Sequence, residues 1–199
     1  LHLCHHNLES IDTDKINSGN ARHKLLAEVC MAAKYEGESL TRYHREYQYK
    51  YDDSPSQICT VLARSFADIG DIVRGKDLFL GNTYENAKRI ILEKKLKEYF
   101  KNIYNDVTSG RNGVKDHYQD RTGNYYLLRE DWWDANRHTV WEAITCSDEL
   151  ANYKYFRATC GDSGDRQGPS MTPSRCRCSD KPNTDQVPTY FDYVPQYLR

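Results

Sequence analysis

Apolar residues recur at three- and four-residue steps through residues 58–73, where Ile58, Val61, Leu62, Phe66, Ile69 and Val73 fall on one face of a helix predicted over 56–73. A stripe this broad needs a large apolar partner. Gly70 interrupts it at a cost of roughly 1 kcal/mol relative to alanine, whereas Gly75 and Gly81 stand where a turn or left-handed backbone suits glycine. The same period predicts a helix over 20–35 with Leu25, Val29 and Ala32 inward and Ser18 or Asn20 as its cap. The tyrosine-rich stretch that follows (Tyr35, Tyr43, Tyr47, Tyr49, Tyr51) is compatible with more helix, up to the DDSP breaker at 52–55. A further helix is predicted over 82–104, where Leu92, Leu96, Tyr99, Phe100 and Ile103 occupy an arc of roughly 100°. Another is predicted over 131–146, with Trp133, Val140, Trp141 and Ile144 as its stripe. Polar residues 105–124 and the Gly, Ser and Pro-rich residues 161–188 read as loops. No strand alternation or internal repeat appears, so the predicted fold class is all-α.

Composition narrows this picture. A chain of 199 residues fits a single domain, and 38% hydrophobic with 12% aromatic residues supplies a core. The mean hydropathy of -0.88 calls for a very polar surface. No run approaches the roughly 20 apolar residues of a bilayer helix, and residues 1–8 are too polar for a signal peptide. With no initiator methionine, and with PTYFDYVPQYLR at its end looking like a helix start, the chain reads as an internal fragment.

The cysteines Cys4, Cys30, Cys59, Cys146, Cys160, Cys176 and Cys178 lack the paired C-x-x-C spacing of a zinc ribbon. A disulfide framework in an oxidising compartment accounts for them better. Their odd number suggests that one, Cys4, pairs outside the chain. Cys59 and Cys146 are expected to tie two predicted helices together, and Cys160 is expected to close the late loop with Cys176 or Cys178.

Candidate chemistry is sparse. Asp68 with Asp71, Glu36 with Glu38, and Glu130 with Asp131 and Asp134 could serve as paired carboxylates, but helix caps and solvated helix faces explain them better. His2, His5 and His6 beside Cys4, with thiolates from Cys176 and Cys178, could suggest a metal site, yet oxidised cysteines ligate nothing. The chain carries no phosphate-binding loop, nucleophile elbow, zinc-protease motif or dinucleotide fingerprint. The expectation is therefore a non-enzyme that needs no cofactor and no metal. Trp132, Trp133 and Trp141 lie at helical spacing, and Trp133 and Trp141 at least suit a core. Tyr43, Tyr47, Tyr49 and Tyr51 suit an interface or a wet core edge equally. The string RGKD at 74–77 is a helix exit, and no N-x-[ST] glycosylation acceptor occurs.

Basic residues give the better binding signal. In 82–104, Lys88, Arg89, Lys94, Lys95, Lys97 and Lys101 outnumber Glu85, Glu93 and Glu98, and Lys94, Lys97 and Lys101 share the face opposite the apolar arc. With a formal net charge of -1, this stripe is a local patch that suits a sulfated glycan, and nucleic acid is not expected as a partner. Ordinary solvation of an outer face is the plain alternative. A second set, Arg22, Lys24, Arg42, Arg45 and Lys50, is interrupted by Glu28, Glu36, Glu38 and Glu46.

Six blocks in order, LHLCHHNLESID at 1–12, AEVCMAAKYEGESL at 27–40, ARSFADIGDIVRGKDLFLG at 63–81, DWWDANRHTVWEAITC at 131–146, YFRATCG at 155–161 and VPTYFDYVPQYLR at 187–199, resemble one family. It is the alpha-class Duffy-binding-like domain of Plasmodium falciparum erythrocyte membrane protein 1. The resemblance implies a disulfide-linked helical bundle with long variable loops, 21–188 being a second subdomain between the end of a first (1–20) and the start of a third (189–199). It implies display on the infected erythrocyte, as part of a membrane protein anchored outside this fragment, with antigenic variation in the loops. It also implies binding to host cell-surface receptors, which for some members are heparan sulfate-type glycans, blood-group sugars or a complement receptor, giving rosetting. On that reading Lys88, Lys94, Lys97 and Lys101 are the glycan-binding candidates. The alternative is a structural and antigenic head domain with no ligand of its own, adhesion being carried by neighbouring domains of the parent chain. Cys146, Cys160, Cys176 and Cys178, after the DIGD block, resemble the commoner multi-cysteine form of the family.

Overall fold

Among the described residues five helices carry the fold: α1 (Ala21–Tyr51), α2 (Gln57–Arg74), α3 (Thr83–Thr108), α4 (Asn112–His117) and α5 (Tyr126–Ile144). The structure, a computed structural model, describes residues 20–51, 57–77, 83–110, 112–161, 170–178 and 187–199. Single 3-10 turns follow at Asp148–Leu150, Phe191–Tyr193 and Gln196–Leu198. Among the described residues, β structure amounts to two isolated bridges, Cys160 with Ser170 and Ser174 with Arg177. The all-α expectation holds.

The axis of the bundle is α2. Its predicted stripe is buried at Ile58, Leu62, Phe66, Ile69 and Val73, with Val61 at the half-buried edge. The partner it required is chiefly α5, which lays Trp133 and Trp141 against Phe66 at ring distances of 5.1 and 5.2 Å. Gly70 makes room for this contact, because a Cβ there would stand 2.7 Å from Trp133 Cζ2. On the opposite flank, Gly37 of α1 meets the end of α5 so closely that a Cβ would lie 2.0 Å from the Ile144 carbonyl oxygen. Gly75 ends α2 at φ 73°, with its N–H donating to Ile72 O and the Lys76 N–H donating to Asp71 O. This is the glycine-terminated helix exit that RGKD predicted.

The predicted arc of α3 (Leu92, Leu96, Tyr99, Phe100, Ile103) is buried throughout. The predicted loop 105–124 is shorter than expected, since α3 runs on to Thr108 and α4 lies inside it. α5 starts five residues before the predicted 131, after Tyr125 at φ 56°. Asp120 holds that start, accepting from the Thr122 hydroxyl and from the N–H groups of Thr122, Asn124 and Tyr125. The early turn buries Leu128 and Arg129, and Trp132 joins the core edge-on to Phe100 at 6.1 Å.

One cysteine expectation needs correction, and Cys160 takes one of its two expected partners. Cys59 is bonded to Cys176 and not to Cys146, and Cys160 is bonded to Cys178. The segment 170–178 lies across the bundle, with Trp141 Nε1 donating to the Cys176 carbonyl at 3.2 Å, which brings Cys176 to α2. Cys146 lies beyond α5 on the α1 side, lining a cavity with Lys34 and Glu38, and is a half-buried free thiol. Cys30 is also free, and burial, aided by the nearby Glu142 carboxylate, pushes its pKa up to about 11. Cys4 lies outside the described residues.

The final segment also differs from expectation. Instead of a helix it makes two 3-10 turns, because Val194, placed before Pro195, is held extended at φ -86°, ψ 130°.

Candidate functional site

At about 100° per residue, Lys94, Lys97 and Lys101 project from α3 within roughly 60° of one another, while Lys88 lies about 120° or more away from that stripe. Lys94 and Lys101 are exposed and make no ion pair with any described residue. Lys97 is partly exposed, with its Nζ 3.9 Å from Glu93 Oε1. Lys88 is half-buried and engaged elsewhere. The stripe therefore consists of three lysines, with Lys88 apart from it.

A groove of about 430 Å³ runs beside these lysines, where α3 passes the exit of α2 and the first residue of α5. Ile90, Lys94 and Lys97 form one bank, with Gly75 and Tyr126 opposite. The acids in the groove are already committed. Glu93 accepts from both terminal nitrogens of Arg129 at 2.8 and 2.9 Å, and Asp77 pairs with Arg89. Arg129, fully buried, also donates to Val73 O at 2.6 Å and Ile72 O at 3.2 Å, satisfying carbonyls at the end of α2. Lys94 and Lys101 make no ion pair with a described residue, while Lys97 shares Glu93 with Arg129 and exposed Glu98 stands on the same face. Sequence periodicity located the stripe but not the groove, which exists only where three helices meet.

The other candidates are consumed structurally. Asp71 and Asp68 receive Arg199 at 2.5 and 3.0 Å, and Asp71 also accepts from the buried Arg74. Burial raises the pKa of both carboxyls against the opposing pull of Arg199. Glu36 is buried and accepts from Ser65 at 2.8 Å, and Glu38 lies 3.9 Å from Lys34. Glu130 pairs with Lys76 and lies 3.5 Å from Arg74. Asp131 accepts from the Tyr118 hydroxyl, pushing that phenol up to about 12, and Asp134 accepts from Tyr193. Asp192, which the sequence reading did not single out, is buried and takes Trp133 Nε1 at 3.0 Å and two Arg137 nitrogens at 2.8 Å. These contacts fasten the last segment to α2 and α5.

In the second basic set, Arg22 pairs with Asp106 at 3.2 Å and Arg45 with Glu149 at 2.8 Å. Lys24 is also engaged, and Arg42 stacks over exposed Tyr43 at 5.6 Å. The Lys50, Tyr47, Tyr49 and Tyr51 side chains, and His2, His5 and His6, lie outside the described residues. Cys176 and Cys178 are oxidised, and no metal-holding group of His, Cys, Asp or Glu occurs among the described residues.

No curated protein matches the chain. Among solved structures, it is similar to the NTS-DBL1(alpha-1) domain of the Plasmodium falciparum membrane protein 1 (PfEMP1) from the varO strain. The identity is 40% and the TM-score 0.74, over 99% of this chain and 40% of that one. The NTS-DBL1-alpha and CIDR-gamma double domain of the same strain's PfEMP1 gives 39% and 0.75, over 99% of this chain and 25% of that one. The ICAM-1-binding DBLbeta domain of PfEMP1 IT4var13 gives 28% and 0.69, over 99% and 39%. The chain thus spans at most two fifths of these structures. The Duffy binding domain family matches residues 1–199, and with the helical bundle and its disulfides in agreement, the chain belongs to that family.

Proposed function

We propose that this chain is part of an adhesion module of a variant antigen on the infected erythrocyte, and that it binds a sulfated, heparan-type glycan on host cells, the contact through which it would support rosetting. The observation that carries this reading is the Lys94, Lys97 and Lys101 stripe, which runs beside a groove whose acids Glu93 and Asp77 are held by Arg129 and Arg89. Neutral blood-group sugars would have no use for such a stripe. The similar DBLbeta domain is ICAM-1-binding, so the fold is compatible with protein receptors; exposed Lys94 and Lys101, with Lys97 between them, favour a polyanion here. The role is adhesion, not catalysis. No described helix is long and apolar enough to cross a membrane, so anchorage is assigned to other parts of a longer parent protein, whose neighbouring domains are the remaining partners.

Each exposed lysine contributes little alone and is screened by salt, so affinity is a sum over contacts that falls as ionic strength rises. The test is retention on immobilised heparin across a salt gradient, beside the variant Lys94→Glu, Lys97→Glu, Lys101→Glu. Salt-sensitive retention, abolished in a variant with unchanged helical circular dichroism, is expected. Equal retention of both proteins would overturn the assignment.

A further inference from the structure

Resting on that reading, we propose that the groove beside the lysines recognises the sugar ring of the sulfated polysaccharide, with Tyr126 as the platform for a pyranose face while Lys94 and Lys97 hold its sulfates. Tyr126 is 50% exposed and Ile90 52%, an unusual pair of large apolar groups flanking a cationic rim. The Gly75 backbone passes close beside the Tyr126 ring. Gly75, at φ 73°, lets the α2 exit pass so close that a Cβ there would lie 3.2 Å from Tyr126 Cε1. A tyrosine side chain has few rotatable bonds to restrict on binding and presents a flat apolar surface with a polar hydroxyl at its edge, which suits the C–H face and flanking hydroxyls of a sugar.

Charge complementarity names the occupant. Glu93 and Asp77, the acids lining the groove, are held by Arg129 and Arg89, so an anion meets Lys94 and Lys97 without facing a free carboxylate. Lys101, one turn beyond Lys97 on the same stripe, extends the cationic track for a polymer. A polyanion without rings would use the track but gain nothing from the platform. That difference separates ring recognition from simple charge attraction.

The test uses the full chain and two probes, a heparin oligosaccharide and inorganic polyphosphate, titrated against wild type, Tyr126→Ala, Tyr126→Phe and Ile90→Ser. Both positions are half-exposed, so the substitutions leave the core intact. Tyr126→Ala is expected to weaken heparin binding about tenfold, with polyphosphate affinity and both salt slopes unchanged. Tyr126→Phe should retain most heparin affinity, and Ile90→Ser should lose part of it. Unchanged heparin affinity in Tyr126→Ala, as expected if the groove is covered by a neighbouring domain, would overturn the inference while leaving the lysine assignment standing. Equal weakening toward both probes would overturn it too. Failure of the wild-type chain to bind heparin would overturn the proposed function and this inference together.

Discussion

At Gly37 and Gly70 a hydrogen stands where any other residue would place carbon against a neighbour. The obstacle at Gly70 is the Trp133 indole, and at Gly37 it is the Ile144 backbone carbonyl. Alanine would return about 1 kcal/mol of helix propensity at either position. Overpacking opposes that gain by about 1–3 kcal/mol, and more where the obstacle is main chain that cannot turn aside. Gly70→Ala is therefore expected to be neutral to about 2 kcal/mol destabilised in urea unfolding, and Gly37→Ala to be worse. A Gly37→Ala protein as stable as wild type would refute this ranking. The sequence shows Gly70 only as a defect in a stripe; Trp133, which uses the space, is recognisable as core but not as its partner, because nothing local links the two.

Among elements, Arg129 has the widest reach. From one buried side chain it closes the end of α2, fixes Glu93 of α3 and stacks over Phe100 at 5.4 Å. Arg129→Met keeps much of the volume but leaves those carbonyls and the carboxylate without their donor, a loss of about 3 kcal/mol. Urea unfolding should show the midpoint falling with an unchanged slope, and a midpoint within error of wild type would contradict the role assigned to this residue. Apolar periodicity made the core arcs of α2 and α3 legible because the buried face of a helix is written directly in residue spacing. The start of α5 was not legible, since it depends on Asp120 gathering three N–H groups, and the last segment was misread because Pro195 ends what YFDYV begins. The lysine stripe could be read from α3 alone. The groove and the committed state of Glu93 could not, because Arg129 comes from another helix.

For the whole molecule, the two disulfides act on very different lengths of chain. Cys59–Cys176 spans a separation of 117 residues and Cys160–Cys178 one of 18. Loop-closure entropy makes the first worth about 5 kcal/mol and the second about 3 kcal/mol to the folded state. Thermal unfolding should then show a larger drop for the double variant Cys59→Ala, Cys176→Ala than for Cys160→Ala, Cys178→Ala, and the reverse order would argue against the entropic account. Cysteine spacing suggested the oxidising compartment but not the Cys59 partner, because the helix predicted to end on Cys146 stops at Ile144, leaving Cys146 on the α1 side, while the folded-back segment delivers Cys176.

The short bridge has a further consequence for how such a chain can diversify. Cys160 and Ser170 exchange backbone hydrogen bonds, and Cys178 locks Cys160 from the other side, so the root of the intervening stretch is fixed independently of what fills it. Doubling the length of a flexible insert between fixed ends costs only about 0.6 kcal/mol. Substitutions or insertions between Cys160 and Ser170 are thus expected to cost the helices beneath little stability.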